Sequence, residues 1–214
     1  MDSREREKRA AAEAAAELVA DGSTVGLGTG STVAFLLPAL AARRLTLRCV
    51  ATSVATEVAA RALGLAVEPF EQLDRLDIAI DGVDQVDPAG WLVKGGGGAH
   101  TREKVVAAAA DRFVVIASSD KVVDALAPPI PLELLAYGAP ATLRALGNAA
   151  LRHVPPSPDG GLIADYLGAV DDPAELALRL AATPGVVDHG LFGPELVSEV
   201  LVARGAVVER LSRA

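Results

Sequence analysis

Short apolar runs alternate with longer stretches of helical periodicity through the first 120 residues. LTLRCVAT (45–52), LAVEPF (65–70), LDIAID (76–81) and RFVVIAS (112–118) carry apolar residues at both odd and even positions, and STVGLG (23–28) sets Val25 and Leu27 among glycines. A strand with no polar face is buried on both sides. Helical patterns lie between them: about Arg4 to Val19 ending at Asp21-Gly22, 31–44 with Pro38 as a kink point, ATEVAARAL ended by Gly64, and REKVVAAAAD (102–111). Strands of this kind separated by helices predict a parallel sheet covered on both faces. The fold class is therefore α/β, with a Rossmann-like main domain.

The texture changes at APPIPLELLAYGAP (127–140), which holds four prolines in fourteen residues. Beyond it the patterns read helix, strand or hairpin, helix, then short strands. A smaller α+β domain is expected over about 131–200. The main domain then comprises 1–130 plus a return at about 201–214.

Composition narrows the picture further. Hydrophobic residues make up 51% of the 214 and aromatics 3%, so the core must be built from Ala, Val and Leu. The net charge of −8 is spread among interspersed acids and bases, without a basic patch beyond the opening RER–EKR. That argues against a nucleic-acid partner, whose phosphates demand clustered Lys and Arg. Cys49 is the single cysteine, which fits a reducing compartment, and its strand neighbours mark it as a buried thiol rather than a nucleophile. The amino terminus lacks the apolar core of a signal peptide and no stretch approaches a membrane span. A cytoplasmic protein without a membrane partner is expected.

In open parallel sheets, ligands bind beyond the carboxyl ends of the strands. The residues that follow the strands here are Thr29, Gly30, Ser31 and Thr32, then Asp81, Gly82, Val83 and Asp84, then Ser119-Asp120-Lys121. GLGTGST has neither the spacing of a dinucleotide fingerprint nor the lysine of a nucleotide P-loop. It reads either as a phosphate cradle of backbone N–H groups and hydroxyls or as a tight turn capped by Ser31. Asp81 and Asp84 can act as acid and base on sugar hydroxyls, or cap the turn. VKGGGGAHTREK (93–104) sets Lys94 beside Gly95, Gly96, Gly97 and Gly98. Four glycines make either a flexible linker or a place where bare backbone must approach a ligand. Lys94 is either a solvated lysine or the counter-charge to a phosphate or oxyanion. Glu103 falls in the first turn of a helix with Thr101 as its N-cap, where the macrodipole favours a carboxylate. His100, His153 and His189 show no paired ligand spacing, so no metal site is expected.

The strings VGLGTGST (25–32), DGVDQVD (81–87), KGGGGAHTREK (94–104), the Asp-Lys of IASSDKVVD (116–124) and PGVVDHGLF (184–192) resemble type A ribose-5-phosphate isomerases, in order and over nearly the whole chain. The resemblance implies interconversion of D-ribose 5-phosphate and D-ribulose 5-phosphate in the nonoxidative pentose phosphate pathway, without metal or cofactor. It implies substrate contacts at Thr29 to Thr32, Asp81 to Asp84, Lys94 to Gly97 and Lys121, and Glu103 as the proton acceptor. Asp81, Asp84 and Lys94 complete the catalytic set. The family fold is a Rossmann-like domain with a smaller ferredoxin-like lid, assembled as a homodimer or tetramer. Val83, Gln85, Gly98 and His100 stand where the family usually has Ala, Glu, Ala and Leu. The rival expectations are an isomerase of a related phosphosugar and a non-catalytic sugar-phosphate-binding module.

Overall fold

The computed structural model describes residues 2–212; Met1, Arg213 and Ala214, part of the expected main domain, lie outside the described residues. The chain opens with α1 (Ser3–Ala16), β1 (Thr24–Leu27), α2 (Val33–Ala42), β2 (Arg48–Ala51), α3 (Val54–Ala62) and β3 (Ile78–Gly82). Short strands β4 (Gln85–Val86) and β5 (Leu92–Val93) precede α4 (His100–Ala108) and β6 (Phe113–Ser118). Next come β7 (Ile130–Leu134), α5 (Ala139–Leu146), β8 (Ala149–Leu151), β9 (Leu162–Tyr166) and α6 (Pro173–Ala181). β10 (Val186–His189), β11 (Leu191–Phe192), β12 (Glu199–Arg204) and β13 (Val207–Ser212) complete the order. The chain forms two compact units.

The first unit holds the described residues up to Val83, Arg102–Val122, and those from Glu195 onward. Its six-stranded sheet has the order β13-β12-β6-β3-β1-β2, parallel throughout except for β13, which pairs antiparallel at one edge. All six residues of β6 are buried, as an apolar run without alternation requires. Ala11, Ala12, Ala15 and Ala16 of α1 are buried in one cluster with Leu36, Leu37 and Leu40 of α2 and with Val25 and Leu27 of β1. Small alanines let helix and sheet approach closely, which is how a chain poor in aromatics still fills its core. Arg43 donates to the carbonyls of Ala16 and Val19, satisfying the open end of α1.

One expected strand is corrected. LAVEPF does not extend as a strand: only Val67 bridges Cys49, framed by Cys49 N–H to Ala66 O (2.8 Å) and Glu68 N–H to Cys49 O (2.9 Å). Pro69 has no N–H to continue the ladder, and the chain turns into a short 3₁₀ turn at Phe70. Cys49 itself is fully buried on β2, and desolvation, aided by Glu68, pushes its thiol up to about 12. A thiol held neutral in this way is no nucleophile.

The second unit holds Asp84–Thr101 and Val123–Pro194. Its four-stranded antiparallel sheet has the order β10-β7-β9-β8. With α5 after β7 and α6 after β9, the chain order is β-α-β-β-α-β, the ferredoxin-like arrangement. Asp172 caps α6 through the N–H groups of Ala174 and Glu175, and Pro173 takes the first helical position. Leu176 and Leu180, one turn apart, then bury against Leu132, Leu134 and Tyr166. A separate three-stranded sheet, β11-β5-β4, belongs to the same unit and carries the start of the glycine run.

Candidate active site

β1, β3 and β6 are adjacent and parallel, so their carboxyl ends lie on one edge of the first unit's sheet. Thr29 to Thr32 follow β1 there, Asp81 and Gly82 end β3 there, and a 3₁₀ turn over Ser119–Lys121 follows β6. Asp81 is 3% exposed, and its Oδ1 accepts from the N–H groups of Thr29 (3.1 Å) and Gly82 (2.7 Å). A Cβ on Gly28 would overlap the Asp81 carboxyl group. The glycine is therefore required by a carboxylate 53 positions later in the chain, not by the turn alone. Gly30 follows with φ +124°, a conformation side-chain-bearing residues rarely adopt.

A hydroxyl cluster supports this turn. Thr29 Oγ1 lies 2.7 Å from Thr52 Oγ1 and 3.3 Å from Thr56 Oγ1, while Thr56 Oγ1 donates to the Gly28 carbonyl (3.0 Å). Lys8 reaches the same turn, with Nζ donating to Ser31 Oγ at 2.8 Å. Its neighbour Glu7 fixes α1 in place, accepting from Gly205 N–H (2.9 Å), Ser119 N–H (2.9 Å) and the Ser119 hydroxyl (2.8 Å). The Gly205 N–H foremost, opposed by burial, holds the Glu7 carboxyl below its ordinary range. Lys8 is an outlying candidate for the phosphate in the sequence, behind Lys94 and Lys121, while Thr52 and Thr56 belong to the family's TS-x-x-T pattern without an assigned role. The Ser31 contact spans 23 positions and has no local signal.

Glu103 arrives by a crossover. α4 returns the chain between the parallel neighbours β3 and β6, so it runs opposite to them. Its far end is tied to the start of β3 by Leu76 N–H to Ala109 O (2.9 Å) and Asp111 N–H to Leu76 O (2.8 Å). Midway, Val106 packs on Gly26 so closely that a Cβ there would collide with it. Glu103 lies one turn toward the amino end, about 4.5 Å along the axis. Because α4 runs opposite to the strands, this sets Glu103 nearer their carboxyl edge than Val106 is. The residue is 4% exposed. One expectation is corrected here: α4 begins at His100, so Thr101 lies within its first turn and does not cap it. The Thr101 hydroxyl instead donates to Glu133, a buried carboxylate that also accepts from Ser157.

In the second unit, Lys94 follows β5 and is 2% exposed, which removes the solvated-lysine reading. Its N–H donates to Gly190 O (2.8 Å), and its Nζ stands 5.6 Å from the Phe192 ring centre. The glycine run is an ordered turn rather than a linker. Gly98 N–H donates to Gly95 O (3.0 Å), and Gly95 and Gly98 have φ of +100° and +74°. A Cβ on Gly95 would lie 2.6 Å from His100 Nδ1. Gly96 N–H donates to Asp84 Oδ2 (2.8 Å). Gly96 and Gly97 are exposed, whereas Gly95 and Gly98 are buried. Gln85 turns its amide to both backbone groups of Ala127 (2.8 Å each), a purely architectural contact. Val83 is 9% exposed and His100 fully buried. Among the described residues, no helix is long and apolar enough to cross a membrane.

A family model described as ribose 5-phosphate isomerase A (phosphoriboisomerase A) matches residues 48–206. A DeoR C-terminal sensor domain model matches residues 3–68, a stretch that includes the Gly28–Thr32 turn and stops before Asp81. Ribose-5-phosphate isomerase A of Caulobacter vibrioides is 43% identical over 221 residues, covering 96% of this chain and 97% of that protein. The crystal structure of ribose 5-phosphate isomerase A from Neisseria gonorrhoeae matches with a TM-score of 0.94 at 30% identity, over 99% of this chain and 98% of that one. A D-ribose-5-phosphate isomerase solved in complex with phospho-erythronic acid matches over 100% of both chains, with a TM-score of 0.93 at 31% identity. Matches of this identity and coverage, in sequence and in solved structures alike, carry one conclusion: the chain belongs to the ribose 5-phosphate isomerase A family.

Proposed function

We propose that this protein interconverts D-ribose 5-phosphate and D-ribulose 5-phosphate in the pentose phosphate pathway, with Glu103 as the base that moves the proton. Aldose–ketose isomerisation transfers a proton between C2 and C1 while the carbonyl changes place. Glu103 takes the C2 proton, an enediolate forms, and the same carboxyl returns the proton to C1. Asp81 and Asp84 assist ring opening and proton transfers among the sugar oxygens. Lys94 stabilises the oxyanion as charge develops on it. Of the four glycines, Gly96 and Gly98 already direct their N–H groups to Asp84 and Gly95. The backbone donors assigned to the substrate are therefore those of Gly95 and Gly97.

The phosphate is assigned to the Thr29–Thr32 turn with Lys8, and Lys121 is kept in the binding set. Val83 and Gly82 line the sugar. The observation that carries the reading is the burial of Glu103, one helical turn from Val106, which packs on Gly26. Support also comes from the relative that binds phospho-erythronic acid. A carboxylate on a hydroxylated, phosphorylated chain imitates the two oxygens of an enediolate. A catalytic body over 1–130 plus about 201–214, a lid over 131–200, assembly into dimers or tetramers and a cytoplasmic location belong to the same proposal.

The test is direct. Purified protein mixed with ribose 5-phosphate should generate ketose absorbance at a rate unchanged by a chelator; no ketose, or none once chelator is added, refutes the reading. Lys8→Ala should raise KM about tenfold while kcat stays within about twofold, because one charge-assisted hydrogen bond to a phosphate is worth about 1.4 kcal/mol or more. Steady-state kinetics with ribose 5-phosphate checks this. An unchanged KM would move the phosphate away from the Ser31 turn.

A further inference from the structure

The β8–β9 hairpin places a guanidinium against the glycine run, a feature that no motif in the sequence announces. Arg152 Nη1 donates to the carbonyls of Gly95 and Gly96, both at 3.0 Å. Its Nε and Nη2 form a two-pronged pair with Asp165 on β9 (2.7 and 2.6 Å). Both side chains are 18% exposed, so the pair is largely shielded from solvent. The planar fork is fixed by one partner and aimed at two others.

A trans peptide ties each carbonyl to the next residue's N–H, pointing the opposite way. Holding Gly95 O therefore fixes the direction of Gly96 N–H, which donates to Asp84 Oδ2 at 2.8 Å. Holding Gly96 O fixes Gly97 N–H, which then faces away from the guanidinium. Glycine peptides rotate freely unless something stops them, and Gly96 and Gly97 are exposed. Arg152 supplies that restraint, its charge balanced by Asp165.

We propose that Arg152, held by Asp165, is a positioning residue that orients the Gly95–Gly97 peptides, and through Gly96 the Asp84 carboxylate, for the isomerisation. The inference rests on the reading of this loop as oxyanion-stabilising. Its effect falls on the transition state, where donor direction matters most, rather than on ground-state binding.

Arg152→Ala and Arg152→Lys are compared with the wild type by kcat, KM and thermal midpoint. Arg152→Ala should lower kcat by about 10- to 100-fold with KM within about threefold and the fold retained. Guanidinium ion at a few tens of millimolar should restore part of the loss. Arg152→Lys keeps the charge but not the fork, and should fall in between. Wild-type kcat in Arg152→Ala overturns the proposal, as does a loss confined to KM. If the Ala variant does not fold, Arg152→Lys decides: full kcat overturns the proposal and reduced kcat at unchanged KM upholds it. Glu103→Gln run alongside separates the two failures. An inactive Gln variant beside a fully active Arg152→Ala sinks only this inference, whereas an active Gln variant sinks the reading beneath it.

Discussion

Glu103→Gln should lower kcat for ribose 5-phosphate by about three orders of magnitude or more, with KM changed by no more than about fivefold. Gln keeps the length and planar shape of the side chain but cannot accept a proton from carbon. The position is 4% exposed, so water has little access to stand in as the base. Removing the proton acceptor raises the barrier to forming the enediolate without removing the groups assigned to the phosphate. The loss should therefore appear in kcat. Incubation in deuterated water gives a second reading: the wild type should wash label into the sugar at the exchanging carbon, and the variant should not. A folded Gln variant with near-normal turnover would eliminate Glu103 as the shuttle, and with it the proposed mechanism.

Gly28→Ala is expected to damage both stability and activity through one added methyl. The new Cβ would overlap the carboxyl carbon of Asp81 and approach its Cβ to 2.5 Å. Neither neighbour yields easily. Gly28 is held in the sheet by its N–H to Ile80 O (3.0 Å), and Asp81 Oδ1 is held by Thr29 and Gly82. Relief requires Asp81 to leave those two N–H groups or β1 and β3 to part. Overpacking of this sort, with loss of hydrogen bonds to a charged acceptor, costs about 3 kcal/mol. In a domain of this size that lowers the thermal midpoint by about 6–12 °C. Turnover per folded molecule should also drop by more than about 100-fold, because the displaced carboxylate is an assigned catalytic group. Gly22→Ala is the control. It meets open space at φ +82°, so it should cost about 1–2 kcal/mol of backbone strain and leave kcat intact. Equal damage from both variants would show that the Asp81 contact is not the cause.

The contrast between those two glycines shows how far sequence reading reaches. The local sequence marks Gly22 as a helix stop and Gly28 as part of GLGTGST, but neither string tells which of the two a methyl group would harm more. Gly28 is demanding only because Asp81 arrives beside it from β3. The Thr101 expectation failed for a related reason: an N-cap residue and a first-turn residue share the same composition, and the Glu133 partner that engages Thr101 lies 32 positions away. LAVEPF misled because apolar content predicts burial, whereas a strand also needs a continuous ladder of donors, which Pro69 interrupts.

Periodicity along the chain was enough for most of the buried parallel strands and for the helices between them, because burial on one or two faces imposes a repeat of two or 3.6 on neighbouring residues. Motif order was enough for the family and for Glu103, Asp81, Asp84 and Lys94 as candidates. Partner choice was not written locally. That Asp81 grips Thr29, that Lys8 meets Ser31, that Gln85 turns to Ala127 and that Arg152 clamps Gly95 and Gly96 all follow from packing between segments far apart in the chain. Hydrogen bonds are short-ranged and directional, so they exist only once the core has fixed where distant backbones meet.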